Sequence, residues 1–144
     1  MNRQNRQSRQ TSERILVEPS EQADRRATEV IGAAIEVHRV LGPGFLETVY
    51  EEALCLELSD RAIPFERQVR VGIPYKARVV GESRLDLLVD NAVLVELKAV
   101  DSIAPIHRAQ VISYLRATSL DLGLLLNFNV RLLPQGLHRI VRSF

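Results

Sequence analysis

The sequence predicts a mixed α/β (α+β) fold, a mixed β-sheet flanked by helices, in the order α-α-β-β-β-β-α-β-β. Three observations carry this. Apolar residues recur at helical spacing on both sides of a Gly42-Pro43-Gly44 break. From Pro64 the period shortens to two, the spacing of a strand. A helical stretch, Ala104 to Ala117, then stands between the apolar runs 93–100 and 122–128.

The elements follow in order. MNRQNRQSRQTSER is polar and aperiodic, so residues 1–21 are expected as a disordered polar tail with solvated arginines. Residues 22–144 are expected as a single domain. Ser20 or Asp24 supplies a helix cap, and Ala27, Ile31, Ala34, Ile35, His38 and Leu41 follow as the expected inner face. Gly42-Pro43-Gly44 ends that helix, because glycine suits the left-handed position after a helix and proline cannot continue one. A second helix runs to about Ser59, with Leu46, Val49, Tyr50, Ala53 and Leu54 facing inward. Strands are expected at 67–75, 77–83, 84–89 and 93–100, the second of them irregular. The helix 104–117 has Val111, Tyr114 and Leu115 among its apolar positions. The run 122–128 is of strand length, and 136–143 makes a final strand.

The 144 residues, 46% hydrophobic and 26% charged, are enough to bury a core without disulfides or a structural metal. The single cysteine, Cys55, excludes an internal disulfide, and one cysteine with three scattered histidines gives no zinc-ligand spacing. No apolar run reaches the roughly 18 residues of a membrane span, and the N-terminus is polar rather than signal-like, so the expected location is cytoplasmic with no membrane association. The net charge is +1. Residues 1–21 hold four arginines against three glutamates, whereas 122–144 hold three arginines and no acid. That balance argues against tight nonspecific binding of DNA.

The chemistry is concentrated in Asp86 and in Glu96-Leu97-Lys98. Each puts charge into a strand otherwise too apolar for a solvated surface, where a carboxylate needs a partner, a proton or a metal ion. Strand parity makes this testable. A turn of residues 90–91 alone would place Asp86 opposite Val95, with Glu96 pointing the other way. A turn of residues 90–92 sets Val89 opposite Val93 and Asp86 opposite Glu96, with Lys98 on the same face. In that register two carboxylates at ~5 Å suit Mg2+, with the Leu97 carbonyl as a third oxygen and Lys98 beside a phosphate. By pattern alone two readings stand: a metal site, or a salt bridge of Lys98 with Asp86 or Glu96. Gln110 and Tyr114, four apart on one helical face, could bond a phosphate or organise the lysine, or could be ordinary amphipathic positions. Glu47 lies in the first turn of the second helix, where the dipole favours a carboxylate, and Gly44 to Glu47 has the spacing of a capping arrangement. His38, on the apolar face of the first helix, reads as a satisfied core histidine.

Together these segments resemble a known family. GPGFLETVY at 42–50 matches the signature of the GxxExxY proteins at Gly44, Glu47 and Tyr50. The resemblance continues through RLDLLVDNAVLVELKAV, AQVISYLRAT and GLLLNF to GLHRIV, about residues 24–144. The family is part of the PD-(D/E)xK nuclease-like superfamily, so the resemblance implies a restriction-endonuclease-like core, αβββαβ with additions. It also implies roles. Asp86 and Glu96-x-Lys98 correspond to the metal-binding acid and the ExK run, and Glu47 to the helix glutamate that completes the metal site. Gln110 and Tyr114 correspond to a QxxxY helix. Leu85 stands where the motif's proline would be, which removes no ligand.

The expected activity is hydrolysis of DNA or RNA phosphodiesters with Mg2+ or Mn2+. Asp86, Glu96, the Leu97 carbonyl and Glu47 would hold the ion, with Lys98, Glu47, Gln110 and Tyr114 as catalytic residues. The expected partner is nucleic acid, DNA ahead of RNA. A chain this small is compatible with a homodimer or a larger complex for gripping a duplex. The alternative is a non-catalytic module of the same fold that binds nucleic acid or a protein.

Overall fold

In the computed structural model, which describes residues 18–142, the first helix starts where a side chain can cap it. The Ser20 hydroxyl accepts the Ala23 N–H at 3.1 Å, and α1 runs Glu21–Leu41. Of the expected tail, residues 1–17 lie outside the described residues, and Glu21 is already helical. Ser20→Ala is expected to destabilise the fold by about 1 kcal/mol in a denaturant melt, the usual effect of losing such a cap. Gly42 ends α1 at φ 68, its N–H bonded to the His38 carbonyl.

The remaining elements are α2 (Glu47–Asp60), β1 (Phe65–Tyr75), β2 (Arg78–Val89), β3 (Val93–Lys98), α3 (Pro105–Thr118), β4 (Leu122–Asn127), a 3-10 turn (Leu133–Gly136) and β5 (Leu137–Val141). They form a five-stranded mixed sheet in the order β1-β2-β3-β4-β5. Only β3 and β4 run parallel, with α3 as the connection that a parallel pair requires. The expected mixed α/β class is therefore present. The segments expected as separate strands at 77–83 and 84–89 are one continuous strand, β2. Its partner β1 follows it along the whole length, with an irregularity between Ile73 and Pro74.

Apolar side chains pack on both faces of the sheet. Val93, Val95 and Leu97 of β3 and Leu122, Leu124 and Leu126 of β4 meet the helical hairpin α1–α2. Leu94 and Leu125 meet Val111 and Leu115 of α3. The strands β3 and β4 are thus apolar on both sides because both sides are covered.

The expected inner face of α1 is corrected at one residue, Ile35, and that of α2 at two, Leu46 and Val49. On α1 the buried residues are Ala23, Ala27, Val30, Ala33, Ala34, Val37 and His38, whereas Ile35 is 44% exposed. Ile31 and Leu41 pack against that face, so Ile35 alone lies outside it. On α2, Tyr50 and Leu54 are buried as expected, joined by Cys55 and Leu58, but Leu46 and Val49 are 76% and 37% exposed. The helix is apolar on more than one side, so periodicity does not choose its face. Tyr50 chooses it, stacking on Phe128 at 4.6 Å between ring centroids. His38 is buried, with one ring nitrogen donating to the Val130 carbonyl at 2.7 Å, as a core histidine does.

Candidate active site

The site begins at a turn. Asp90 and Asn91 both adopt φ 50, a conformation that Asp and Asn tolerate better than other side-chain-bearing residues, and the Ala92 N–H closes the turn on the Val89 carbonyl. Ala92 is the odd residue. Val89 pairs with Val93, Leu88 with Leu94 and Leu87 with Val95, the register that sets Asp86 against Glu96.

Beyond Leu87 and Val95 the ladder between β2 and β3 stops, and the two carboxylates take over its bonds. The Asp86 N–H donates to Glu96 Oε1 at 3.0 Å, and the Leu97 N–H donates to Asp86 Oδ2 at 2.8 Å. Each acid thus holds the other strand in place with one oxygen. The arrangement is electrostatically tense. Glu96 is only 7% exposed, and burial first and the neighbouring Asp86 second push its carboxyl up to about 8. Burial also raises Asp86, the Leu97 N–H counteracts this, and the Glu51 carboxylate adds to the rise.

Other elements close around the pair. Glu47 is the first residue of α2, with Leu46 at the cap position and no side-chain cap bond, so the expected capping arrangement is not formed. Glu47 is half-buried. Burial and the charge of Asp86 raise its pKa, and Lys98 lowers it. Tyr50 positions the start of this helix, since its hydroxyl donates to the Gly42 carbonyl at 2.6 Å and accepts the Phe45 N–H at 3.2 Å. Tyr50→Phe is expected to lower stability by about 1 kcal/mol, because it removes the hydrogen bonds of two partly buried backbone groups. Thermal melting checks this.

Lys98 is half-buried at the end of β3, and its backbone is held firmly. Its carbonyl accepts the Phe128 N–H at 2.9 Å. The buried Asn127, opposite Lys98 on β4, clamps Val100 through Oδ1 and Nδ2 at 3.0 and 2.9 Å. Among the described residues Lys98 makes no ion pair within 4.0 Å. The salt bridge left open by the pattern is therefore not formed, although its charge is felt by Glu47, Asp86 and Glu96. From the opposite layer, Tyr114 of α3 is half-buried. Burial raises its phenol, Glu96 raises it further, Ser83 counteracts and Asp86 adds to the rise. Gln110 is half-buried one turn earlier and makes no hydrogen bond to a described residue.

Sequence reasoning missed four participants. Glu51 sits one turn after Glu47 and accepts from Gln68 at 2.7 Å and from Arg67 at 2.8 Å. Gln68, at φ 50 and out of the ladder opposite Asp86, lies 3.5 Å from Asp86 Oδ1. Ser83 and Asn127 complete the set. The four-residue step from Glu47 could have found Glu51, but nothing in the sequence announces the backbone irregularity at Gln68.

The arrangement suits a hard divalent cation. Two desolvated carboxylates in contact, each with one oxygen spent on a backbone N–H, would exchange a shared proton for such an ion. Among the described residues no group of three His, Cys, Asp or Glu side chains is placed to hold a metal ion, so Glu47 is not brought into one ligand set with Asp86 and Glu96. Mg2+ tolerates this, since it takes few protein ligands and keeps several waters. The PD-(D/E)XK nuclease superfamily model matches residues 24–140. The chain belongs to this superfamily. No curated protein matches it. Membership in the nuclease superfamily agrees with the mixed sheet between helices, and no described helix is long and apolar enough to cross a membrane.

Proposed function

We propose that this member of the nuclease superfamily hydrolyses phosphodiester bonds of nucleic acid, DNA ahead of RNA, with Mg2+ or Mn2+. One observation carries the reading: the Asp86 and Glu96 carboxyls meet where β2 and β3 part, desolvated, with no ion pair to Lys98 beside them. Asp86 and Glu96 would hold the ion, with the Leu97 carbonyl and Glu47 completing its surroundings. When bound, such an ion polarises the phosphoryl oxygen and lowers the pKa of a water. Lys98, held by its backbone, reaches the phosphate oxygens and offsets the charge that develops on them. Tyr114 and Gln110, on one face of α3, orient the phosphate from the other layer. The Gly44, Glu47 and Tyr50 signature supports placing the chain among the GxxExxY proteins.

Purified protein is expected to cleave DNA only when Mg2+ or Mn2+ is added, and Asp86→Ala to lose both cleavage and Mn2+ binding. Equal cleavage by wild type and Asp86→Ala sinks the reading. Mn2+ binding with no cleavage of DNA or RNA would favour a non-catalytic binding module instead.

A further inference from the structure

Beyond the level of Asp86, β1 and β2 continue as a two-stranded ribbon, because β3 pairs with β2 only over Leu87 to Val89. Residues 69–85 of this ribbon carry four basic side chains (Arg70, Lys76, Arg78 and Arg84) and one acid, Glu82. Arg70 and Arg84 are paired directly across the strands. Like charges in that position destabilise a sheet. Arg70 lies 3.5 Å from Glu82, which neutralises one of the pair in part. Arg84 is exposed and makes no ion pair or hydrogen bond to a described residue.

The face this pair occupies follows from its neighbours. Leu85 and Val71 are buried in the cluster under α3, and Val69 packs against it. Side chains alternate along a strand, so Arg84 and Arg70 point to the opposite side. That is the side on which Gln68 bonds Glu51 of α2 and approaches Asp86 Oδ1. Arg84 is two residues from Asp86, about 7 Å along the strand.

We infer that Arg70 and Arg84 form a phosphate clamp for the nucleic-acid strand, gripping a backbone phosphate next to the one presented to Asp86 and Glu96. The inference rests on the reading of the site as a nuclease centre and adds the direction of the bound strand, outward along the β1–β2 ribbon. Two facing guanidiniums give a phosphate more donors than one can, and a bound phosphate removes the repulsion between them.

The test is fluorescence anisotropy of a labelled DNA duplex and its single strand, in Ca2+ so that nothing is cut, from about 50 to 200 mM salt. Wild type is compared with Arg84→Ala and with Arg70→Ala/Arg84→Ala. The double variant is expected to bind at least about tenfold more weakly, and its salt slope on duplex to shrink by about one, for the single phosphate that the pair holds. Mn2+ affinity should be unchanged. Arg84→Thr should melt no lower than wild type, since it removes only repulsion. Binding within twofold of wild type with an unchanged slope overturns the clamp and leaves the nuclease reading standing. A lower melting temperature for Arg84→Thr overturns it as well, by making the arginine structural. Absence of both nucleic-acid and Mn2+ binding in the wild type removes the clamp together with the nuclease reading.

Discussion

Lys98→Ala is expected to lower the rate of metal-dependent DNA cleavage by about 10²–10³-fold, the loss typical of removing a group that stabilises developing charge. The size follows from how the lysine is held. Its carbonyl is bonded to Phe128, and Asn127 fixes the chain two residues on, so the side chain leaves a rigid strand end. A preplaced charge needs no reorganisation when the phosphorus is attacked. Mn2+ affinity should be no weaker in this variant, because Lys98 opposes a cation at Asp86 and Glu96. Single-turnover cleavage alongside an Mn2+ titration separates the two quantities. Cleavage within a few-fold of wild type would remove Lys98 from the chemistry.

Glu96→Gln is expected to make the metal-free protein more stable at pH 8, by at least about 1 kcal/mol, the equivalent of one pKa unit. The sign follows from the direction of the shift. Burial and Asp86 push Glu96 from its ordinary value of 4.5 up to about 8, so the folded protein holds a proton that the unfolded chain releases. The contribution to stability is complete below about pH 4.5 and is lost as pH rises through about 8. Glutamine keeps the oxygen that accepts the Asp86 N–H and never ionises. Melting curves from pH 5 to 8 should therefore slope downward for wild type and be flatter for the variant. Adding Mn2+ should raise the wild type far more than the variant, because an ion stabilises only the state that binds it. A flat wild-type profile with a destabilised Glu96→Gln would instead mean that the carboxylate is stabilised as an ion in the metal-free fold.

Much of this site can be read from local chemistry. Asp and Asn at 90 and 91 tolerate left-handed backbone, and apolar residues on both sides of 93–97 demand cover on both faces. The odd register that joins Asp86 to Glu96 was a risk in the sequence, because a turn of two residues fits Asp-Asn equally well. Ala92 decided it, by standing outside the pairing between Val89 and Val93. Glu51 was hidden for a different reason. A glutamate on an exposed helix turn looks solvated until Gln68 and Arg67 reach it from another element.

By itself the sequence determined the alternation of elements, the break at Gly42-Pro43-Gly44, and the placing of two acids and a lysine in strands too apolar to solvate them. Those features depend on backbone preference and on the period of apolar residues, both of which are local. Only the tertiary structure decided which face of α2 turns inward, because a helix apolar on several sides can be oriented only by what it packs against. It also decided that β2 is one long strand and that Arg84 and Arg70 lie on the side of the ribbon away from α3. It set the charges of Asp86 and Glu96 too. Burial raises the pKa of both, Asp86 adds to the rise of Glu96 and Glu51 to that of Asp86, and none of this exists until the elements have met.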